Sequence, residues 1–588
     1  MLLVVTGVSS LVHLYSTEYM SHDPHQGRFM GYLSLFTGFM LFLVTADNFL
    51  VMFLGWEGIG LASFLLIGFW YTRIQAGKSA IKAMVVNRVG DLGLALAICS
   101  VFITFKSIDY LTVFALVPSV IDTTFCFLSF DFDKLTVISL LLFWGALGKS
   151  AQLGLHTWLP DAMEGPTPVS ALIHAATLVT AGVFLIIRCS VIFDNSNSLF
   201  IVTIVGALTA FFASSVGLVQ NDLKRVIAFS TCSQLGYMVF AAGLSHYSIA
   251  LFHLSNHALF KALLFLSAGC IIHGASDEQD MRKLGGLIKL FPTSYCMILI
   301  GSLALVGFPF LTGFYSKDAI LEIAISKNNL SGSFAHFLGC SAAFCTSFYS
   351  FRLVFLTFVN KTNTYKKYMD NVHDAPIRMI IPLLVLALGA IFVGYLSRDL
   401  FIGLGTSFFG NSISNNCSNF NLIDSEFLPA ILKNIPFVFT LLGALLSLFL
   451  INCFNVSKTD VYKLKMSKQY RTVYTFLTQK WNFDQIYNEC LAVKTMNFGY
   501  KNSFLLIDKG NIEVFGPLGL AYYIKNFSKI ASSQQTGFLS HYTFLFVVAL
   551  FGVLLFGTCL FIDSSSNLLI GLWFAYLLFS LNTVKVQP

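Results

Sequence analysis

The chain has 588 residues, 56% of them hydrophobic and only 11% charged, with a formal net charge of +7. A soluble chain carries about 25% charged residues, so these charges are too few to cover a water-exposed globule, and no basic cluster has the density of a nucleic-acid footprint. The apolar runs are nearly continuous, as in 33–46 and 380–393, rather than alternating. That pattern favours helices over a β-barrel and predicts an all-α polytopic membrane protein.

A crossing needs about 20 apolar residues. On that measure crossings are expected near 2–16, 29–46, 48–71, 80–105, 134–155, 167–188, 198–219, 225–245, 247–272, 287–308, 313–327, 333–358, 379–396, 434–454, 541–562 and 567–583. Short runs among them read as half-helices, so about 14–16 transmembrane helices are expected. The stretch 106–133 is apolar in part but broken by Pro118, Asp122, Asp131 and Asp133. No cleavable signal or Arg-rich transit segment is visible at the start, and the first apolar run, 2–15, is short for a crossing.

Two segments look interrupted in corresponding ways. One holds Gly145, Gly148, Lys149 and Gly154 and runs into Pro160; the other holds Gly307, Pro309, Gly313 and Lys317. Broken backbone is tolerated at membrane depth only inside protein or beside water. A Gly/Pro-interrupted segment in each of two halves marks repeat-built transporters. A pair of ordinary kinks is the plainer reading, and the lysine at each break weighs against it.

Toward the end, Ile486, Cys490, Val493, Met496, Tyr500, Phe504 and Ile507 recur at steps of three and four. This is one apolar stripe on a helix lying along the membrane or along partner subunits. Breaks are expected at Gly510 and at Gly516-Pro517; a short soluble helix with a loop is the alternative. Two basic stretches, Lys361, Lys366, Lys367 and Arg378, then Lys458, Lys463, Lys465, Lys468 and Arg471, flank two crossings. They therefore share one side, the matrix or cytoplasm by the positive-inside rule.

Ionisable groups inside apolar segments are functional candidates by default. In chain order they are Glu57; Arg88 with Asp91, spaced i,i+3; Lys149; His174; Asp222, Lys224 and Arg225; His253, His257 and Lys261, spaced i, i+4, i+8 on one helix face; and Lys317 with Asp318. Each has a blander reading. Arg88 and Asp91 form a structural ion pair, Asp222 and Lys224 mark the membrane boundary, and His174 is a satisfied core histidine. His253 and His257 have the spacing of metal ligands, but no H-E-x-x-H and no third ligand accompany them. Glu57, Lys149, Lys261 and Lys317 resist dismissal because each lies within an apolar run.

Other chemistries are excluded. Gly148-Lys149-Ser150 resembles the end of a Walker A loop, but Phe143 stands where that loop needs glycine, and no strand precedes it. The 12 cysteines are scattered without a C-x-x-C, which argues against an iron–sulfur or zinc site. A lysine–glutamate–histidine row suits proton transfer instead. Burial disfavours a charged lysine and a nearby carboxylate restores it, by roughly 4 kcal/mol at about 4 Å and an effective dielectric near 20. Moving a proton against roughly 150–200 mV costs about 3.5–4.6 kcal/mol, a matching size. Histidines suit the links because they titrate near neutrality.

The runs Phe53–Ser63, Asn87–Asp91, Gly148–Gly182, Asp222–Val226, Phe252–Leu264 and Tyr315–Asp318 resemble the subunit 5 family of mitochondrial NADH dehydrogenase, antiporter-like membrane subunits of respiratory complex I. The resemblance covers nearly the whole chain, and its long central run is highly specific. It implies a proton-pumping subunit driven by redox chemistry in partner subunits. Glu57 and Lys149 would form a coupled pair in a first half-channel, and His174, His253, His257 and Lys261 would link to Lys317 at the exit of a second. Arg88, Asp91, Lys224 and Asp318 complete the expected site.

The implied divisions are N-terminal helices 1–46, antiporter-like halves 47–219 and 220–360, C-terminal crossings and basic loops 361–482, a lateral helix 483–533 and an anchor helix with tail 534–588. No cofactor is expected in this chain; NADH, FMN, iron–sulfur clusters and ubiquinone belong to the implied complex. The expected partners are other membrane-arm subunits and lipid, in the mitochondrial inner membrane, with no nucleic acid. The family usually has further crossings upstream of what matches Met1, and the tail after Ser564 is longer than its pattern. Two other readings remain: a subunit of the related sodium/proton antiporters, and a membrane scaffold whose ion pairs are structural.

Overall fold

The computed structural model describes residues 1–127, 129–363, 372–410, 412–414, 421–456, 467–533 and 535–559. It divides into two compact bodies, Met1–Asp484 and the residues from Gln485 onward.

The first body is a helical bundle. Its leading helices are α1 (Leu2–Tyr19), α2 (Gln26–Thr45), α3 (Phe49–Ile67), α4 (Ile74–Phe105) and α5 (Tyr110–Val120). Asn48 starts α3 by accepting a hydrogen bond from the Val51 amide, the role of an N-cap. Lys106 ends α4 in the left-handed region at φ 56. The ambiguous stretch after α5 forms a two-stranded antiparallel hairpin, β1 (Thr124–Phe127) and β2 (Phe130–Asp133), a small departure from an all-α chain. Asp133 closes the hairpin and caps α6 (Lys134–Lys149) through the Thr136 amide.

The centre follows as α7 (Trp158–Asp161), α8 (Thr167–Ala175), α9 (Leu178–Arg188), α10 (Ser190–Asp194), α11 (Leu199–Gly217), α12 (Leu223–Gly243) and α13 (Tyr247–Gly274). Then come α14 (Pro292–Val306), α15 (Thr312–Ser326) and α16 (Leu330–Val354), with helices Ile377–Ile402 and Ala430–Val456 beyond. A helix apolar on all sides must be surrounded by protein or lipid. The most hydrophobic stretch of α12 is buried along its whole length, so the polar groups of α12 lie in the middle of the bundle.

Close approach depends on glycine at two crossings. Gly206 on α11 faces Gly236 and Phe240 on α12, where a Cβ would stand 2.5 Å from the Phe240 amide nitrogen. Gly90 on α4 faces Gly148 on α6, where a Cβ would stand 3.0 Å from the opposing Cα. The second crossing seats α4 directly against the residue before Lys149.

Among the described residues, ten helices are long and apolar enough to cross a membrane: Gln26–Thr45, Phe49–Ile67, Ile74–Phe105, Thr167–Arg188, Leu199–Gly217, Leu223–Gly243, Tyr247–Gly274, Leu330–Val359, Ile377–Ile402 and Ala430–Leu450. Each coincides with an expected crossing. The expected crossing 134–155 stops at Lys149, because the chain turns through Ala151, at φ 47, and Gly154, at φ 104. The break is thus placed after Lys149, and Gly145 and Gly148 lie within regular helix. The second break is Gly307–Leu311, and Lys317 stands inside α15. A third break was not foreseen. Thr167–Arg188 is interrupted between Ala175 and Leu178 without glycine or proline, where the Thr177 hydroxyl donates to the Leu172 carbonyl at 2.7 Å.

In the second body the helical path runs on to Phe515 through wide π turns at Tyr487–Ala492 and Phe498–Ile512. Gly510 does not break it, because the π turns accommodate it; Gly516, at ψ −148, does. Helix Pro517–Ser533 and helix Leu539–Cys559 follow. The apolar stripe faces outward, with Met496 74% and Tyr500 60% exposed. Lys366, Lys367, Lys458, Lys463, Lys465 and the expected crossing 567–583 lie outside the described residues.

Candidate functional site

Lys149 is the last residue of α6 and 1% exposed. Its Nζ donates to the Trp56 carbonyl at 3.3 Å and stands 3.9 Å from Asp91 Oδ1. The Trp56 indole donates to the same Asp91 oxygen at 2.7 Å and presents its ring to the ammonium at 5.7 Å. Gly60, one turn after Trp56, leaves the room the ammonium takes: a Cβ there would stand 2.9 Å from Nζ. Three helices therefore build this site: α3 supplies Trp56 and Gly60, α4 supplies Asp91, and α6 supplies Lys149.

Glu57 pairs with Arg88 rather than touching Lys149. Its carboxylate meets Arg88 at 2.5 Å, and the Arg88 side chain is 54% exposed. Among the described residues Lys149 makes its only ion pair with Asp91, so the Glu57–Lys149 pairing expected from the resemblance is not a direct contact. The i,i+3 pair expected on α4 is also not formed. Arg88 and Asp91 point to different partners, Glu57 and Lys149, because α4 passes between α3 and α6.

Beyond the first break, the Trp158 indole donates to the Gly148 carbonyl at 3.0 Å, so α7 is tied to the turn that carries Lys149. The His174 ring lies between Trp158 and Phe265, at 6.1 and 6.2 Å. Neither ring nitrogen has a hydrogen-bond partner among the described residues. His174 is thus not a hydrogen-bonded core histidine. It sits between the element tied to Lys149 and the helix that carries Lys261.

The second cluster joins α12, α13 and α15. Lys261 Nζ donates to the Ser230 hydroxyl. One turn earlier the His257 ring stacks edge-on against Phe260, 6.4 Å from His253. His253 bonds Ser316 through Nδ1 at 2.9 Å and Gln234 through Nε2 at 3.1 Å. Lys317, next to Ser316, donates to the Thr346 hydroxyl at 3.1 Å and to the Val306 carbonyl at 3.3 Å, with its ammonium 5.4 Å from the Tyr237 ring. Asp318 is partly buried and borders Gly307 beside the Lys317 stem. Lys261, His253, His257 and Lys317 are all at or below 1% exposure.

Lys224 is buried but stands at the first turn of α12, donating to the Gly165 carbonyl at 3.3 Å. Beside it, Arg225 pairs with Glu164 at 3.4 Å and with Asp222 at 3.2 Å. These groups fasten α12 to the segment after α7, and among the described residues no hydrogen bond or ion pair joins them to the two lysine clusters. Sequence reasoning did not single out Trp56, Ser230, Gln234, Ser316 or Thr346. A signal for two of them existed: Ser230, Gln234 and Tyr237 recur at i, i+4 and i+7 on an otherwise apolar helix.

Chemically the row offers ammonium, imidazole and hydroxyl groups, each able to give up a proton or exchange one. A cavity of 10 Å³, lined mostly by apolar side chains with Ser230, Ser302, Tyr349 and Ser350 at its border, adjoins the partner of Lys261. Among the described residues no group of three or more His, Cys, Asp or Glu side chains is arranged to hold a metal ion.

Three family models match in succession. One described as complex I chain 5 N-terminus covers residues 1–30, one described as NADH:quinone oxidoreductase/Mrp antiporter, TM covers 46–344, and one described as NADH dehydrogenase subunit 5 C-terminus covers 349–557. NADH-ubiquinone oxidoreductase chain 5 of Marchantia polymorpha is 56% identical over 577 residues, 97% of this chain and 84% of the relative. The chain 5 protein of Rhizopus stolonifer is 50% identical over 587 residues, 100% of this chain and 87% of the relative. Among solved structures, the Mrp complex from Dietzia sp. DQ12-45-1b superposes with TM-score 0.62 at 21% identity, over 95% of this chain and 55% of that chain. An archaeal membrane-bound sulfane sulfur reductase superposes with TM-score 0.58 at 21% identity, over 68% of this chain and 79% of that chain. At that identity the two structures establish the fold alone.

Proposed function

This chain belongs to the NADH-ubiquinone oxidoreductase chain 5 family, and from that premise we propose that its buried row Lys149, His174, Lys261, His257, His253 and Lys317 is the path that its protons follow. The chain is a proton-translocating membrane-arm subunit of complex I, a multi-pass protein of a respiratory membrane, and the cofactors of the complex reside in other subunits. Its partners are other complex I subunits.

The observation that carries the proposal is burial without dispersal. Four of the row's side chains are hydrogen-bonded or ion-paired, and all six are at or below 1% exposure in neighbouring helices of one body. A buried ammonium is costly unless paired, so an approaching or retreating negative charge changes its hold on a proton. At Lys149 that charge is Asp91, with Glu57 and Arg88 as an outer pair that tunes it. Hydroxyls of Ser230, Ser316 and Thr346 stand beside Lys261, His253 and Lys317 as relays, each accepting a proton only as it gives up its own. The first half of the path lies within 47–219 and the second within 220–360. The driving redox chemistry would use NADH, FMN, iron–sulfur clusters and ubiquinone in partner subunits, in the mitochondrial inner membrane, with the exposed Leu and Phe side chains of the crossings facing lipid.

The test is the complex reconstituted into liposomes with Lys149→Ala or Lys317→Ala. The expected result is an assembled, NADH-oxidising complex that pumps fewer protons per NADH. Assembled variants that pump at the native ratio would overturn the proposal.

A further inference from the structure

Outside the six-residue row, at the end of the first body, four charges converge. Lys82 on α4 bridges Asp161 at 2.6 Å and Asp484 at 2.8 Å. Lys480 bridges the same two carboxylates, at 3.2 Å and 3.5 Å. Each lysine thus serves both acids. All four side chains are between 16% and 34% exposed, so water screens the ring only in part.

The chain between Lys480 and Asp484 is held in an unusual shape. Lys480, Trp481 and Asn482 stand in succession in the left-handed region, at φ 54, 57 and 57. Residues with a Cβ avoid that region, and a run of three persists only where the surroundings fix it. Here they do. Trp481 packs against Phe212 at 5.1 Å, and Phe483 packs against His156 and Phe212 at 5.0 and 5.4 Å. His156 belongs to the turn between Lys149 and α7, so the aromatic wedge and the charge ring grip the same part of the first break.

The two elements joined by this grip are the two that matter for Lys149. Lys82 lies on α4, the helix that carries Asp91. Asp161 ends α7, whose Trp158 is bonded to Gly148 beside Lys149. The 3.9 Å separation of Lys149 and Asp91 is a distance between α4 and the end of α6, to which α7 is tied by the Trp158–Gly148 bond. We propose that Lys480 and Asp484 are positioning residues for the Lys149–Asp91 pair, clamping α4 to α7 through Lys82 and Asp161. The clamp stands at the last residues of the first body. This inference rests on the proton path described above.

The experiment uses the whole complex in liposomes with Lys480→Gln, Asp484→Asn or Asp161→Asn, read as protons pumped per NADH across pH, beside NADH oxidation with uncoupler. Expected are unchanged uncoupled oxidation, a lower pumping ratio with a shifted pH profile, and recovery in Lys480→Arg. Native ratio and profile in the assembled variants overturn the clamp. If Asp161→Asn prevents assembly, Lys480→Gln decides, because it takes two of the ring's four ion pairs from the clamp. A Lys149→Ala arm separates the two claims: native pumping in that arm overturns the path itself, whereas native pumping in the clamp variants alone overturns only the clamp.

Discussion

The Lys149 ammonium and the Asp91 carboxylate stand 3.9 Å apart, and the Trp56 indole holds the carboxylate in place from the third side. The pair forms because Gly90, the residue before Asp91, and Gly148, the residue before Lys149, let α4 and α6 touch backbone to backbone. An approach this close is worth about 4 kcal/mol at an effective dielectric near 20, the same order as moving one proton across an energised membrane. Two glycines set the distance between these charges, and on the proposed proton path that distance sets the hold on a proton.

Asp91→Asn removes that hold directly, whereas Glu57→Gln leaves Arg88 without its partner. An unpaired charge is costlier than a missing pair. Proton pumping per NADH is therefore expected to fall in both single variants. Adding Arg88→Gln should restore much of the loss in Glu57→Gln and none in Asp91→Asn. Equal rescue of both would place Arg88 in contact with Asp91 after all; proteoliposome pumping of the four variants decides it.

Gly60 and Gly55 make a contrast on one helix. A Cβ at Gly55 meets the Leu43 backbone nitrogen at 2.6 Å, which cannot move alone, while a Cβ at Gly60 meets only the flexible end of Lys149 at 2.9 Å. Gly55→Ala should cost about 1–3 kcal/mol by overpacking and lower the thermal stability and amount of assembled complex. Gly60→Ala gains about 1 kcal/mol of helix propensity, so assembly should hold while the displaced ammonium changes pumping. Thermal denaturation of the purified complex, set beside its pumping ratio, reads both.

His253→Phe keeps the ring volume but removes the bonds to Ser316 and Gln234. Leaving the buried Gln234 oxygen unpaired should cost about 1–3 kcal/mol, with pumping reduced more than uncoupled NADH oxidation. His253→Gln retains a donor and an acceptor and should recover stability but not pumping. If the Gln variant pumps normally, His253 serves only as a tether between α12 and α15.

Much of the scaffold was legible from hydropathy. Among the described residues, the ten helices long enough to cross all coincide with expected crossings, because a run of apolar residues in a chain this poor in charge has nowhere else to go. Lys149 and Lys317 were legible for the same reason, although Lys317 stands inside α15 and not at the second break: an ammonium inside an apolar run demands an explanation. The third break, at Thr177, was not, since it rests on one hydroxyl reaching the Leu172 carbonyl rather than on glycine or proline. Nor was the reach of the helical path past Gly510, where wide turns absorb a residue that α-helical spacing treats as a stop.

Composition and periodicity by themselves determined that this is a helical membrane protein with lysines, histidines and acids inside its apolar segments. They did so because the cost of burying a charge is a property of the residue and its near neighbours in sequence. Only the tertiary structure decided who faces whom: Asp91 rather than Glu57 at Lys149, Ser230 at Lys261, and Lys82 with Asp161 at Lys480 and Asp484. Those pairings depend on how helices far apart in sequence cross, and the crossings are set by small residues on both partners at once, which one strand of sequence read alone does not bring together.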